Sequence, residues 1–207
     1  MTIPFVALVP VKSPTRGKSR LVGVSDPQRR ALAIAFALDT VAAARATAAV
    51  AEVVVVTDDA EVVAQARRLG CACTPDTGDL NASLRAAARE RDGVVVALCA
   101  DLPALDAATL GRALAGLDGS SAWFVADHLG TGTTMYAAPV GLFDPRFGPD
   151  SRAAHRAAGA REVLADVERL RRDVDTLDDL TTLAGLGLLG HRTQQAWAAS
   201  AATSTST

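Results

Sequence analysis

Three apolar runs, residues 5–11 (FVALVPV), 52–57 (EVVVVT) and 94–100 (VVVALCA), constrain this chain more than any other feature. Their interiors carry no polar alternation, so each suits a strand covered on both faces, as in a parallel sheet. Helical patterns separate them. Pro27, following Ser25-Asp26, opens a helix whose apolar positions Leu32, Phe36, Leu38 and Val41 recur at helical spacing to about residue 45. Residues 59–69 read as a second helix stopped by Gly70, and 71–74 as a short strand. Asp79 and Asp106 are placed to cap helices reaching about 91 and 117. This alternation of strand and helix predicts an α/β fold.

The rhythm changes after Gly119. Residues 122–126 and 133–138 read as strands with no helix between them, so they should pair antiparallel and make the sheet mixed, mainly parallel, with flanking helices. A loop at 143–149, a helix from 151 to 158, a strand at 167–174 and a helix opened by Asp175-Thr176 follow. Residues 1–190 are expected to form a single domain. From His191 the chain turns to Ala, Ser and Thr without apolar periodicity, and 191–207 is expected to be a disordered tail.

The 207 residues suffice for one full core, and two domains would be cramped. With 21 Lys and Arg against 23 Asp and Glu, the net charge of −2 excludes the sustained positive field that nucleic acid or an anionic membrane would need. Cys71, Cys73 and Cys99 lack zinc-like spacing and predict a reduced, cytoplasmic protein. No run reads as a membrane span or secretory signal. A homodimer is compatible with the sequence.

Ligands of parallel sheets collect beyond the strands' carboxyl ends, and the first strand runs into Lys12, Arg16, Gly17, Lys18, Ser19 and Arg20. Such a cluster is either a solvated basic loop or a polyphosphate site. Gly17-Lys18-Ser19 is not a standard P-loop, because Lys12 stands where the first glycine belongs and Gly23 with 25–27 interrupts the helix that should follow. A P-loop-like NTP hydrolase stays open because 94–101 resembles the strand that carries that fold's metal-binding Asp.

Asp101, at the end of a buried strand, is placed either to bind magnesium beside a polyphosphate or to start the turn before Pro103. On a strand, Asp173 and Asp175 would project to one face with Val174 on the other, either as metal ligands or as a solvated edge and a helix cap. The segment 130–134 (GTGTT) reads as a hairpin turn or an anion-cupping loop. Segment 147–151 (FGPDS) leads into a helix start that could bind phosphate, or in which Ser151 simply caps. Asn81 lies in a helix's first turn and could face a ligand. Arg152 and His155 could support an anion but default to the surface, as do His128 and His191.

Taken together these segments resemble the guanylyltransferases of coenzyme F420 biosynthesis, which join GTP to a small phosphorylated three-carbon acid. The resemblance spans residues 5–186 and rests, in order, on PVK with GKSRL, ADLPAL, FVAD with LGTGT, RFGPDS with a following His, and DVDT with DDL. It implies a nucleotide-diphospho-sugar transferase-like sheet, GTP as co-substrate and magnesium as cofactor. It assigns metal ligation to Asp101, Asp173 and Asp175. Lys12, Lys18 and Arg20, with Asn81 as a nucleoside contact, fall to GTP, and Lys12, Lys18 and Asp101 to catalysis. Thr133, Gly148 and Ser151 fall to the acceptor. The implied acceptor is phosphoenolpyruvate, with 2-phospho-L-lactate and 3-phosphoglycerate as alternatives; a non-catalytic nucleotide-binding module is the more distant reading. The spacer Ser13-Pro14-Thr15-Arg16-Gly17 departs from the family's more apolar one, so Arg16 receives no role.

Overall fold

A seven-stranded sheet forms the centre of the computed structural model, which describes residues 3–12 and 21–204. Its strands are β1 (Phe5–Pro10), β2 (Val50–Val56), β3 (Ala72–Thr74), β4 (Val94–Leu98), β5 (Trp123–Ala126), β6 (Thr133–Pro139) and β7 (Arg161–Glu162), in the order β3-β2-β1-β4-β6-β5-β7. The first four are mutually parallel. β6 runs antiparallel to both β4 and β5, and β7 parallel to β5. The expected mixed, mainly parallel sheet is therefore present.

The helices are α1 (Asp26–Ala46), α2 (Ala60–Arg68), α3 (Leu80–Arg89), α4 (Ala107–Ala115), α5 (Ser151–Ala157), α6 (Glu168–Arg171), α7 (Leu177–Gly185) and α8 (His191–Ser204). Alternate residues of β1 feed two apolar layers, as the uninterrupted run requires. Phe5, Ala7 and Val9 pack with Leu38 and Val41 of α1 and with Leu110 and Leu114 of α4. Leu8 packs on the other side with Leu84 and Ala87 of α3. A third cluster joins Leu32 and Phe36 of α1 to Val174, Leu180 and Leu183, with Trp197 of α8 against it. α1 is thus covered on two sides, which accounts for a helix apolar over most of its circumference.

The expected caps form. Asp79 accepts the Ala82 N–H and Asp106 the Thr109 N–H, each at 2.7 Å. Two expectations are corrected. Residues 167–174 are not a strand: the four-residue α6 occupies their middle, and an irregular segment carries Asp173–Asp175. Residues 191–204 are not a disordered tail but helix α8, whose first turn is capped from another helix. The buried Asp39 of α1 accepts the N–H groups of Arg192 (3.2 Å) and Thr193 (2.8 Å). Gly190 permits this approach, since a Cβ there would lie 2.4 Å from the Asp39 Cγ. Among the described residues no helix is long and apolar enough to cross a membrane.

Candidate active site

Strand direction decides what meets at the carboxyl edge of β1 and β4. β1 ends into Lys12 and β4 into Cys99-Ala100-Asp101. Because β6 is antiparallel to β4, its first residue, Thr133, lies at this same edge, where the Cys99 N–H donates to the Thr134 carbonyl (2.9 Å). β5, antiparallel to β6, delivers Asp127 and His128 there as well. A cleft of about 260 Å3 opens at the edge, lined by Val11, Lys12, Phe36, Cys99, Asp101 and Asp175 among others.

Two carboxylates, Asp101 and Asp175, line this cleft, and a third, Asp173, stands beside them. Ligand atoms of Asp101, Asp173 and Asp175 all lie within 4.8 Å of one another, and the three residues are half-buried. The sequence placed Asp173 and Asp175 together by strand alternation; the structure does so by anchoring the residue between them. Val174 is fully buried, and its N–H donates to the Asp101 carbonyl at 3.0 Å, holding the two segments side by side. The cap of α7 is Thr176, not Asp175. Asp179 closes that cap, accepting from the Thr176 hydroxyl (2.7 Å) and from the N–H groups of Thr176 (2.8 Å) and Asp175 (3.2 Å). Burial pushes the Asp179 carboxyl up, but these hydrogen bonds outweigh it and hold the pKa below the usual value. His128 completes the surroundings, with its ring Nδ1 3.5 Å from an Asp173 oxygen and its backbone N–H donating to the Arg171 carbonyl (2.8 Å), so it is not a plain surface histidine. Three oxygen donors without thiolate or imidazole suit a hard divalent cation.

The segments expected to hold the acceptor also meet. Thr133 and Ser151 are buried, and the Ser151 N–H donates to the Gly148 carbonyl (3.2 Å) while the Arg152 N–H donates to the Thr131 carbonyl (3.1 Å). Asp150, in the left-handed region at φ 53°, occupies the N-cap position expected of Ser151. The 130–134 loop does not cup a foreign anion with the N–H groups of Thr131 and Gly132. Both donate at 2.9 Å to the chain's own Asp127 carboxylate, which comes so close that a Cβ at position 132 would sit 2.5 Å from its oxygen. Asn81 is largely committed to the backbone of Phe147. His155, expected at the surface, is fully buried between Thr133 and the 146–148 segment. Lys18 and Arg20, with Arg16, lie outside the described residues.

Residues 33–174 match the MobA-like NTP transferase domain, a span that includes Asp101 and Asp173 and ends one residue before Asp175. A phosphoenolpyruvate guanylyltransferase from Thermomonospora curvata is 51% identical over 190 residues, covering 87% of this chain and 83% of the relative. One of the same name from Salinispora arenicola is 46% identical, covering 93% of both chains. The chain belongs to the phosphoenolpyruvate guanylyltransferase family. This family member shares its fold with solved structures named as a nucleotidyl transferase and a cytidylyltransferase. A solved 4-diphosphocytidyl-2C-methyl-D-erythritol synthase superimposes with a TM-score of 0.62 at 14% identity, covering 90% of this chain and 99% of that one. In this guanylyltransferase family member sequence reasoning missed Asp179 and the placements of His128 and His155, and it gave Asn81 to the nucleoside without its tie to Phe147. Only the DDL following DVDT and the His following RFGPDS signalled any of them.

Proposed function

We propose that this chain transfers the guanylyl group of GTP to phosphoenolpyruvate, giving enolpyruvyl-diphospho-guanosine and pyrophosphate for coenzyme F420 biosynthesis. The observation that carries the reading is the convergence of Asp101, Asp173 and Asp175 on the cleft that Lys12 also lines. The names of the relatives support the choice of acceptor.

In the reaction an acceptor phosphate oxygen attacks the α-phosphorus of GTP, the bond to the β-phosphate breaks, and pyrophosphate leaves. A phosphate monoester has its second pKa near 6, so at pH 7 the nucleophile is already mostly dianionic and no side chain has to remove a proton. The three aspartates would hold a magnesium ion, which supplies charge neutralisation between the two polyanions. Lys12, with Lys18 and Arg20 that follow it in the sequence, would bind the triphosphate and the departing pyrophosphate. Thr133, Gly148 and Ser151 would hold the acceptor, with Thr133 on the same sheet edge as the carboxylates, a placement that supports an in-line approach of the two reactants.

Incubating the protein with GTP, magnesium and an equimolar mixture of phosphoenolpyruvate, 2-phospho-L-lactate and 3-phosphoglycerate tests this directly. The expected result is pyrophosphate release with the enolpyruvyl adduct dominating by mass. Inorganic phosphate without an adduct would indicate a hydrolase, a dominant 3-phosphoglycerate adduct would refute the acceptor, and no release would indicate a binding module.

A further inference from the structure

We infer that His155 is a positioning residue of the acceptor site, committing the Thr133 hydroxyl to donate its proton toward the bound anion. The inference rests on the acceptor site proposed above. His155 is 0% exposed; Nδ1 meets the Thr133 hydroxyl and Nε2 the Arg146 N–H, with the Ser151 backbone also interacting with the ring. Nε2 lies 2.9 Å from the backbone nitrogen of Arg146, whose N–H can only donate, so Nε2 carries a lone pair. A neutral imidazole with Nε2 as acceptor bears its proton on Nδ1. Burial, reinforced by the nearby Arg146 charge and opposed by the Ser151 backbone and Asp144, depresses the ring's pKa to about 4, which keeps it neutral at pH 7.

The Nδ1 proton then points at Thr133 Oγ1, 3.0 Å away. That hydroxyl must accept from the ring, which leaves its own proton for another partner. In the opposite tautomer Thr133 would spend its proton on the ring and turn a lone pair toward an incoming phosphate or carboxylate. The ring is held against rotation by Tyr136, stacked at 4.6 Å and 20°, by Phe124 stacked at 5.8 Å, and by Phe147 edge-on at 5.6 Å. The same ring bridges β6 and the 146–148 segment from α5, the helix that opens with Ser151. Three acceptor-binding elements therefore share one side chain.

Two replacements separate hydrogen bonding from packing. An Asn amide overlays the Nδ1 position and can still donate to Thr133, whereas a Gln amide overlays Nε2 and keeps only the Arg146 contact. His155→Asn should hold the KM for phosphoenolpyruvate within about threefold, and His155→Gln should raise it about tenfold or more, the scale of a lost hydrogen bond to a charged group. Both should leave the KM for GTP unchanged. In a Thr133→Val background, His155→Gln should add less than about twofold. A packing role would instead make the smaller Asn worse than Gln, raise both KM values, or add fully to Thr133→Val; any of these overturns the inference. Should neither variant fold, 15N NMR of histidine-labelled wild-type protein at pH 7 decides. An Nδ1–H tautomer is expected at the buried histidine, and an Nε2–H tautomer or an imidazolium would refute it. Wild-type protein that makes no phosphoenolpyruvate adduct would refute the function proposed above, which the tautomer measurement does not depend on.

Discussion

Asn81 grips the peptide of Phe147 from both sides: its Oδ1 accepts the Phe147 N–H and its Nδ2 donates to the Phe147 carbonyl, each at 2.9 Å. This pair of hydrogen bonds across 66 residues of sequence fastens the first turn of α3 to the 146–148 segment. Asn81→Ala should therefore cost about 1–3 kcal/mol, because it strands two backbone groups at a half-buried site. Denaturant titration would check this. The KM for the acid should rise more than that for GTP, and the reverse order would return Asn81 to the nucleoside.

For the carboxylates, Asp173→Asn and Asp175→Asn should each lower turnover by about 100-fold or more while leaving the urea midpoint close to wild type, since Asp175 lines the cleft, Asp173 stands beside it, and the core contact belongs to Val174. Chelation should abolish activity, with magnesium restoring it. Near wild-type turnover in both variants would remove the triad from the reaction.

The buried His155 makes stability depend on acidity. Its folded pKa of about 4 lies below the ordinary 6.5, so between these values the unfolded chain binds a proton that the folded chain does not. Stability contributed by the neutral ring is present above pH 6.5 and is lost as pH falls toward 4. Between pH 7 and pH 5 the loss attributable to this ring should be about 2 kcal/mol. Urea titrations of wild type and His155→Gln at pH 7 and pH 5 should show the gap between them narrowing on acidification; a constant gap would contradict the assignment.

Deleting residues 191–207 should be strongly destabilising, contrary to what a tail lacking apolar periodicity suggests. It uncovers Leu32 and Phe36 and leaves Asp39 buried without the N–H groups of Arg192 and Thr193. Gly190→Ala tests the same joint more gently, because its Cβ would meet Asp39. A melting temperature within 1–2 °C of wild type for the deletion would show that α8 contributes nothing.

The sheet was legible because residues 5–11 and 94–100 are apolar on both faces, and the antiparallel pair because no helix separates 126 from 133. Asp101 was legible as a candidate because it follows a buried strand, and Asp173 and Asp175 because they flank an apolar valine, but only the family resemblance joined the three into one set, and the local geometry at 173–175 is a loop. What escaped notice depends on partners distant in sequence. Nothing around Asp39 announces that it caps a helix 154 residues later, and a histidine on a short helix reads as exposed until β6 and the 146–148 segment close over it. Pattern reports which face of an element is apolar, but not which polar side chain another element will enclose.

The reach from Asp39 to Thr193 also bears on how the molecule comes into being on the ribosome. α1 is made early and carries Phe36, which lines the cleft, and Thr40, whose hydroxyl accepts the Leu102 N–H beside Asp101 at 3.2 Å. Yet the Asp39 carboxylate finds its partners only after residues 190–193 have emerged, and Asp101 meets Asp173 and Asp175 only shortly before. Contacts of such long sequence separation form late and slowly. A nascent chain halted before Asp173 would display the strands of the sheet without a complete carboxylate cluster, so this architecture delays assembly of the cluster until most of the polypeptide has been synthesised.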